Sequence, residues 1–155
     1  CLSSGRFSTG DDLAFVQELF NCLGKTKRIE EKMINASTAI SGSGPGYIFN
    51  DYELDLKDPD NINENTKQNI IKRLTQAAKS VGFNSEDAKF LAVNTTQTSI
   101  NLVKKTGLSP YELKKQVTSK GGTTQAALKV IYSGGSWEEA AGAAVKRAEE
   151  LSRRE

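Results

Sequence analysis

The chain has 155 residues, 37% hydrophobic and 26% charged, the composition of one globular domain long enough to bury a core. Its formal charge of +2, spread over scattered basic residues apart from a short cluster at Lys25, Lys27 and Arg28, is too weak a field to argue for nucleic acid or an anionic membrane. Two cysteines, no CxxC and no histidine exclude the usual zinc ligand sets and every Ser-His or Cys-His catalytic pair, so any chemistry must use hydroxyls, backbone amides, carboxylates, lysine or a borrowed cofactor.

No apolar run approaches the ~20 residues needed to span a bilayer and no secretory segment opens the chain, which reads as soluble, reduced and cytoplasmic. The opening "CLSSGRFSTG" has no initiator Met and reads as the middle of a longer protein.

The first expected element is a helix over 11–23, with Leu13, Val16, Leu19, Phe20 and Leu23 as its apolar stripe, Asp11 and Asp12 at its positive end and Gly24 as its stop. "KTKRIE", 25–30, reads as a short strand. Residues 1–30 are thus a helix-then-strand unit of an α/β sheet whose remainder this chain does not supply.

From residue 31 the pattern turns helical, with about five or six helices expected. Met33, Ala36 and Ile40 share one face, followed by the glycine-interrupted "SGSGPG" at 41–46 and by Tyr47, Ile48 and Phe49. Residues 50–68 are polar, acidic and rich in Asn and Asp; they read as an exposed inserted loop with a brief strand at 52–56. A helix is expected to resume at about Asn69, burying Ile70, Ile71, Leu74, Ala77, Ala78 and Val81 and closing at Gly82. The next, capped by Asn84 or Ser85, runs to about Lys105. Its inner face carries Ala88, Leu91, Ala92, Thr95, Thr96, Ser99, Leu102 and Val103. "SPYE" at 109–112 and "SWEE" at 136–139 are capping boxes, and an Ala-lined amphipathic helix completes the chain. Trp137, Tyr47 and Phe49 adjoin apolar stripes and read as packing residues.

Two stretches can carry chemistry. In "TSKGGTT", 118–124, adjacent glycines can aim successive N–H groups into one concavity, and a helix starting near Thr123 adds unpaired amides and its positive dipole end. Ser119, Thr123 and Thr124 supply hydroxyls and Lys120 a charge. Two or three hydrogen bonds to a charged group, each about 1.5–3 kcal/mol, reach the roughly 4 kcal/mol of millimolar binding. The other reading is that Gly-Gly ends one helix and Thr caps the next; on pattern alone that plain start is the commoner case. "SGSGPG" is equally open between a close approach to a ligand and a turned corner, and it is no dinucleotide fingerprint.

"NASTAISGSGPGYIF" at 35–49 and "LKKQVTSKGGTTQAALKVIYSGGSWEEAAGAAVKRAEEL" at 113–151, taken in order, resemble the C-terminal domain of pyrroline-5-carboxylate reductase. "DDLAFVQELFNCLGKTKRIEE" resembles the last helix and strand of that family's nucleotide-binding domain, so the likeness covers nearly the whole chain. The resemblance implies a mostly α fold: a multi-helix dimerisation and substrate-binding domain over 31–155, preceded at 1–30 by the end of a Rossmann domain that is absent here. It implies a homodimer or higher homo-oligomer, NADPH or NADH as cofactor, and 1-pyrroline-5-carboxylate, a small carboxylate-bearing cyclic imine, as substrate. Ser119 and the amides around Gly121, Gly122 and Thr123 would hold the carboxylate. The Thr124 hydroxyl would hydrogen-bond the ring nitrogen, and Ser41 and Ser43 would lie near the nicotinamide. By itself the chain is expected to be inactive.

Three departures bear on this. Lys120 stands where the family usually has Pro, Gly46 where it commonly has Ala, and 50–68 interrupts what is normally one continuous helix. A non-catalytic assembly module and a reductase of another imino acid are the competing readings.

Overall fold

The computed structural model describes residues 1–51 and 62–153. Within them the chain forms α1 (Gly10–Asn21), α2 (Ile34–Ser37), α3 (Gly44–Asn50), α4 (Glu64–Ser80), α5 (Ser85–Thr106), α6 (Pro110–Gln116), α7 (Thr123–Tyr132) and α8 (Trp137–Ser152). The mostly helical fold class is as expected, and the described residues contain no strand. Segment 25–30 is corrected from a strand to an extended stretch with one parallel bridge, Leu2 to Arg28. Among the described residues its ladder bonds are Leu2 N to Lys27 O and Ile29 N to Leu2 O, both 2.9 Å. A ladder needs a neighbour over several residues, and none runs beside it here.

Helix α1 starts from a capping box in which Thr9 Oγ1 accepts from Asp12 N at 3.2 Å and Asp12 takes the Thr9 amide at 2.8 Å. Its expected stripe is not buried. Leu13 and Val16 are half-covered, Leu19, Phe20 and Leu23 are exposed, and Phe15 is 68% exposed. The period is right, but an amphipathic helix buries its face only against a second layer.

Residues 31–50 are one helical run with two changes of pitch, a 3-10 turn at Glu31–Met33 and a π turn at Thr38–Gly42. Ser43 N reaches back five residues to Thr38 O at 2.9 Å, and Pro45 falls in the first turn of α3, where a missing N–H costs nothing. "SGSGPG" therefore re-phases a helix instead of ending it. Counting this run as one helix gives six after residue 31 among the described residues.

Helix resumes earlier than the polar composition of 50–68 suggests. Asn63 Oδ1 accepts from Asn65 N at 2.8 Å and starts α4 at Glu64, five residues before the expected start at Asn69. Glu64 pairs with Lys67 at 3.7 Å and accepts from Gln68 Nε2 at 2.7 Å. Polar i,i+3 and i,i+4 pairs support this turn without any apolar periodicity to betray it. The suspected strand at 52–56 lies outside the described residues.

Further along, α4 buries Ile70, Ile71, Leu74, Ala77 and Ala78 as expected, leaves Val81 only half-buried at its C-cap, and closes at Gly82, whose φ of +104° lets Phe83 N return to Ala78 O at 3.1 Å. Helix α5 packs along α4 with the expected small, hydroxyl-bearing stripe, except that Ile100 is buried and Leu102 is 39% exposed. Ile100 follows Thr96 by four residues and precedes Val103 by three, and so holds the helical period of the buried face. Thr96 Oγ1 and Ser99 Oγ are buried with no hydrogen-bond partner among the described residues, each at a cost of about 1–3 kcal/mol.

The core gathers where the re-phased run enters the bundle: Ile40, Tyr47, Ile48, Ile70, Leu74 and Leu113 are fully buried. Truncating Leu74 to Ala there costs about 2–5 kcal/mol. Tyr47 meets Trp137 edge to face at 5.9 Å, and Arg73 covers Trp137 at 4.2 Å, so these aromatics are packing residues as expected. Ala140, Ala141, Ala144 and Ala148 line the buried side of α8 and let it lie close on α7 and α4. That close approach carries the start of α7 beside both α3 and α8.

Candidate functional site

The two glycine-bearing stretches, far apart in sequence, meet in the fold. Ser43 Oγ donates to Thr123 Oγ1 at 2.9 Å, tying the π turn to the first residue of α7. One residue on, α3 and α7 approach so closely that a Cβ at Gly46 would stand 2.5 Å from Thr124 Cγ2. The Thr124 methyl occupies the space a larger residue at 46 would take, which fixes the side of the helix its hydroxyl can face.

Residues 119–122 form a turn closed by Gly122 N donating to Ser119 O at 3.1 Å. Its third position, Gly121, has a φ of +71°, the left-handed region such a turn demands and glycine tolerates. Gly122 then serves as the N-cap of α7 with extended backbone and no side chain. A Cβ there would come within 2.2 Å of Ser119 Oγ. Lys120, at the second position, is exposed.

No side chain caps α7, and the first backbone bond of the helix is Ala126 N to Gly122 O at 3.2 Å. The amides of Thr123, Thr124 and Gln125 therefore have no acceptor among the described residues. Thr123 does not cap the helix, as the plain reading of "GGTT" would have it; it stands inside the first turn. Thr124 is 5% exposed, and its hydroxyl makes no hydrogen bond among the described residues. The site thus combines three unpaired amides at a positive dipole end with one uncommitted hydroxyl, an arrangement suited to an anion with a second polar atom beside it.

Two residues that sequence reasoning missed support this loop. Gln125 Oε1 accepts from Gly121 N at 2.8 Å, and Arg147 Nε on α8 donates to Gly121 O at 2.6 Å. A signal was available for Arg147: it falls at helical spacing between Ala144 and Ala148, a charge placed against the buried Ala face.

Of the two serines of "SGSGPG", Ser43 is fully buried with its hydroxyl on Thr123, and Tyr47 beside it donates to Ala39 O at 2.9 Å. Burial pushes the Tyr47 phenol well above its usual range, so it remains a neutral donor. Ser41 faces elsewhere, into a cleft of about 190 Å³ shared with Lys25, Lys27, Asn94 and Thr98. A larger cleft, about 750 Å³, lies between the N-terminal unit and the α4–α5 junction and includes no residue of 119–124. Its lining mixes Arg28 and Lys32 with Glu30, Glu31 and Asp87, and favours no one charge. The exposed loop with convergent donors is the better site.

Residues 68–154 match the family model for pyrroline-5-carboxylate reductase dimerisation. The chain is 36% identical to pyrroline-5-carboxylate reductase of Arabidopsis thaliana over 97% of its own length and 49% of that relative. It is 33% identical to the Aquifex aeolicus reductase over 77% of the chain and 38% of the relative, and 30% identical to pyrroline-5-carboxylate reductase 2 of Bacillus subtilis over 78% and 37%. No solved structure matches. The chain spans about half the length, or less, of these relatives, and it belongs to the pyrroline-5-carboxylate reductase family, whose dimerisation domain it carries.

Proposed function

We propose that this chain is the substrate-binding and dimerisation part of an NAD(P)H-dependent reductase that converts 1-pyrroline-5-carboxylate to proline, working as a homodimer or higher homo-oligomer in the cytoplasm. The carrying observation is the uncapped start of α7 beside an uncommitted Thr124 hydroxyl. Ser119 and the amides around Gly121, Gly122 and Thr123 take the carboxylate, with Gly121 and Gly122 shaping the turn that leaves the helix amides open. Thr124 hydrogen-bonds the ring nitrogen and so holds the C=N bond in one orientation. The names of the relatives and of the family model support the substrate and the dimer.

The cofactor is held mainly by a nucleotide-binding domain outside this chain. The bare face of α1, with Phe15, Leu19, Phe20 and Leu23 exposed, supports 1–30 as an edge of that domain, since such a face needs a layer to cover it. Ser41 and Ser43 belong to the nicotinamide end. Ser41, in a cleft with Lys25 and Lys27, suits direct contact with an amide or phosphate oxygen. Ser43, buried and bonded to Thr123, acts through Thr123. When bound, the reduced nicotinamide supplies hydride to the imine carbon. This chain's residues orient the imine and hold its nitrogen, which suffices because positioning and the cofactor carry the reaction.

The isolated chain is accordingly inactive. In the complete protein, Thr124→Ala is expected to lower turnover at least tenfold, roughly 1.4 kcal/mol of transition-state stabilisation; unchanged turnover removes Thr124 from the mechanism. A second reading, a reductase of a different imino acid, rests on the same geometry, since α7 recognises a carboxylate more clearly than a ring. Steady-state kinetics with pyrroline-5-carboxylate, piperideine-carboxylate and linear imino acids separate the two. Turnover of none of them would favour a non-catalytic assembly module.

A further inference from the structure

We propose that Arg147 is a positioning residue for the carboxylate: from α8 it holds the Gly121 carbonyl, while Gln125 holds the Gly121 amide one peptide earlier, so that the loop's carbonyl oxygens stay turned away from the start of α7. This rests on the carboxylate-holding reading of 119–124.

The loop has little to hold it otherwise. Its backbone bonds are Thr118 N to Lys115 O at 3.3 Å and Gly122 N to Ser119 O at 3.1 Å. Gly121 sits at positive φ, where a glycine has the most conformational freedom to lose. A four-residue turn of this kind interconverts with its neighbour type by rotating the middle peptide, here Lys120–Gly121, through about half a turn. The bond from Gly121 N to Gln125 Oε1 blocks that rotation. Because a trans peptide holds N–H and C=O antiparallel, and no peptide bond among the described residues is cis, aiming the Gly121 amide at Gln125 also aims the Lys120 carbonyl away from α7.

Arg147 completes the device one peptide later. Its Nε donates to Gly121 O at 2.6 Å, a charge-assisted bond, while Nη1 is fixed by Glu150 at 2.9 Å. The guanidinium is thus oriented from its own helix, and its side chain is only 20% exposed. A released Gly121 carbonyl would be free to rotate its negative end toward an anion held by the neighbouring amides. The packing of α8 on α7 does not need this residue, since Ala140, Ala141, Ala144 and Ala148 supply the buried face.

The test is steady-state kinetics of the complete protein with pyrroline-5-carboxylate, comparing wild type with Arg147→Met, Arg147→Lys and Gln125→Ala, together with melting temperatures. Arg147→Met is expected to raise KM for the imine at least tenfold, to change kcat less than threefold, and to leave KM for the nicotinamide cofactor and the melting temperature nearly unchanged. Arg147→Lys, which can still donate to Gly121, should recover most of the lost KM. Gln125→Ala should raise the same KM by releasing the preceding peptide, and it decides the matter if Arg147→Met does not fold. An unchanged imine KM in these variants, or a parallel loss of kcat, KM and melting temperature that Lys does not rescue, overturns the positioning role. A wild type that reduces no cyclic imino carboxylate overturns the proposed function instead, so the two failures are distinct.

Discussion

Helices α7 and α8 are neighbours in sequence and pack on each other, yet they begin in opposite ways. At α8, Ser136 Oγ accepts from Glu139 N at 3.1 Å and Glu139 accepts from Ser136 N at 2.7 Å, so the chain itself satisfies these two amides. At α7 the cap is Gly122, with no side chain to offer, and the carboxamide oxygen of the first turn, Gln125 Oε1, is spent on Gly121. Thr9, Asn63, Asn84 and Ser109 close the starts of α1, α4, α5 and α6 in their turn. A chain that caps its other long helices from within leaves one open, and that one sits beside an uncommitted hydroxyl. The contrast sets an end closed by the chain itself against an open end, the one proposed to take a ligand.

The sharpest way to break the contrast is to give α7 the cap it lacks. Gly122→Asp places a carboxylate where the substrate's would bind and lets the chain satisfy its own amides. Two charged hydrogen bonds are then denied to the ligand, about 3–6 kcal/mol, so kcat/KM for the imine is expected to fall by at least ~10². The Cβ must displace Ser119 Oγ, the end of a rotatable side chain, and it stands 3.2 Å from Ser119 O, a contact that a small backbone shift relieves, so the fold itself should persist. A variant that folds and keeps wild-type kcat/KM would show that the open amides bind nothing.

The same contrast marks what the sequence could and could not disclose. The capping boxes were legible because a cap needs only a few adjacent residues, and the stripes of α4 and α5 because burial imposes the helical period. "TSKGGTT" was legible as a composition but not as a choice: glycine at an N-cap is compatible with a plain start, and what favours the other reading is that the amides of Thr123, Thr124 and Gln125 have no acceptor among the described residues. Arg147 and the Ser43–Thr123 bond were hidden for a different reason. Each depends on long-range packing, of α8 on α7 and of the π turn on α7, that no local pattern encodes. The start of α4 was missed because side-chain pairs among Glu64, Lys67 and Gln68 do there what apolar spacing does elsewhere.

The closed end should respond in the opposite sense. Ser136→Ala removes the α8 cap and is expected to cost about 1 kcal/mol of stability, or roughly 2–4 °C in melting temperature, while kcat and KM stay within twofold of wild type. Because Trp137 is the first residue of α8 and packs on Tyr47, fraying of this end is opposed by the core. A loss of substrate affinity comparable to that of Gly122→Asp would mean that the two helix starts are not independent, and that α8's cap also sets the α7 site through Arg147.

The smallest effect is electrostatic and concerns where the acid resides. At α6 the chain supplies its own: Ser109 Oγ and Ser109 N both donate to Glu112, at 2.7 and 2.9 Å, and the side-chain bond leads in holding the Glu112 carboxyl below its usual value of 4.5. A carboxyl lowered by folding contributes stability that is fully present above the unfolded value and is lost as pH falls through the folded one. The melting-temperature difference between wild type and Glu112→Gln should therefore be constant above about pH 5 and shrink below 4.5. A difference unchanged from neutral pH to about pH 3 would refute the assignment. At α7 the amides do not titrate and, under the proposed function, the acid belongs to the ligand. Affinity for a cyclic imino carboxylate should then follow the ligand's own ionisation, falling only below about pH 4 for a carboxyl of ordinary strength, in wild type and Glu112→Gln alike.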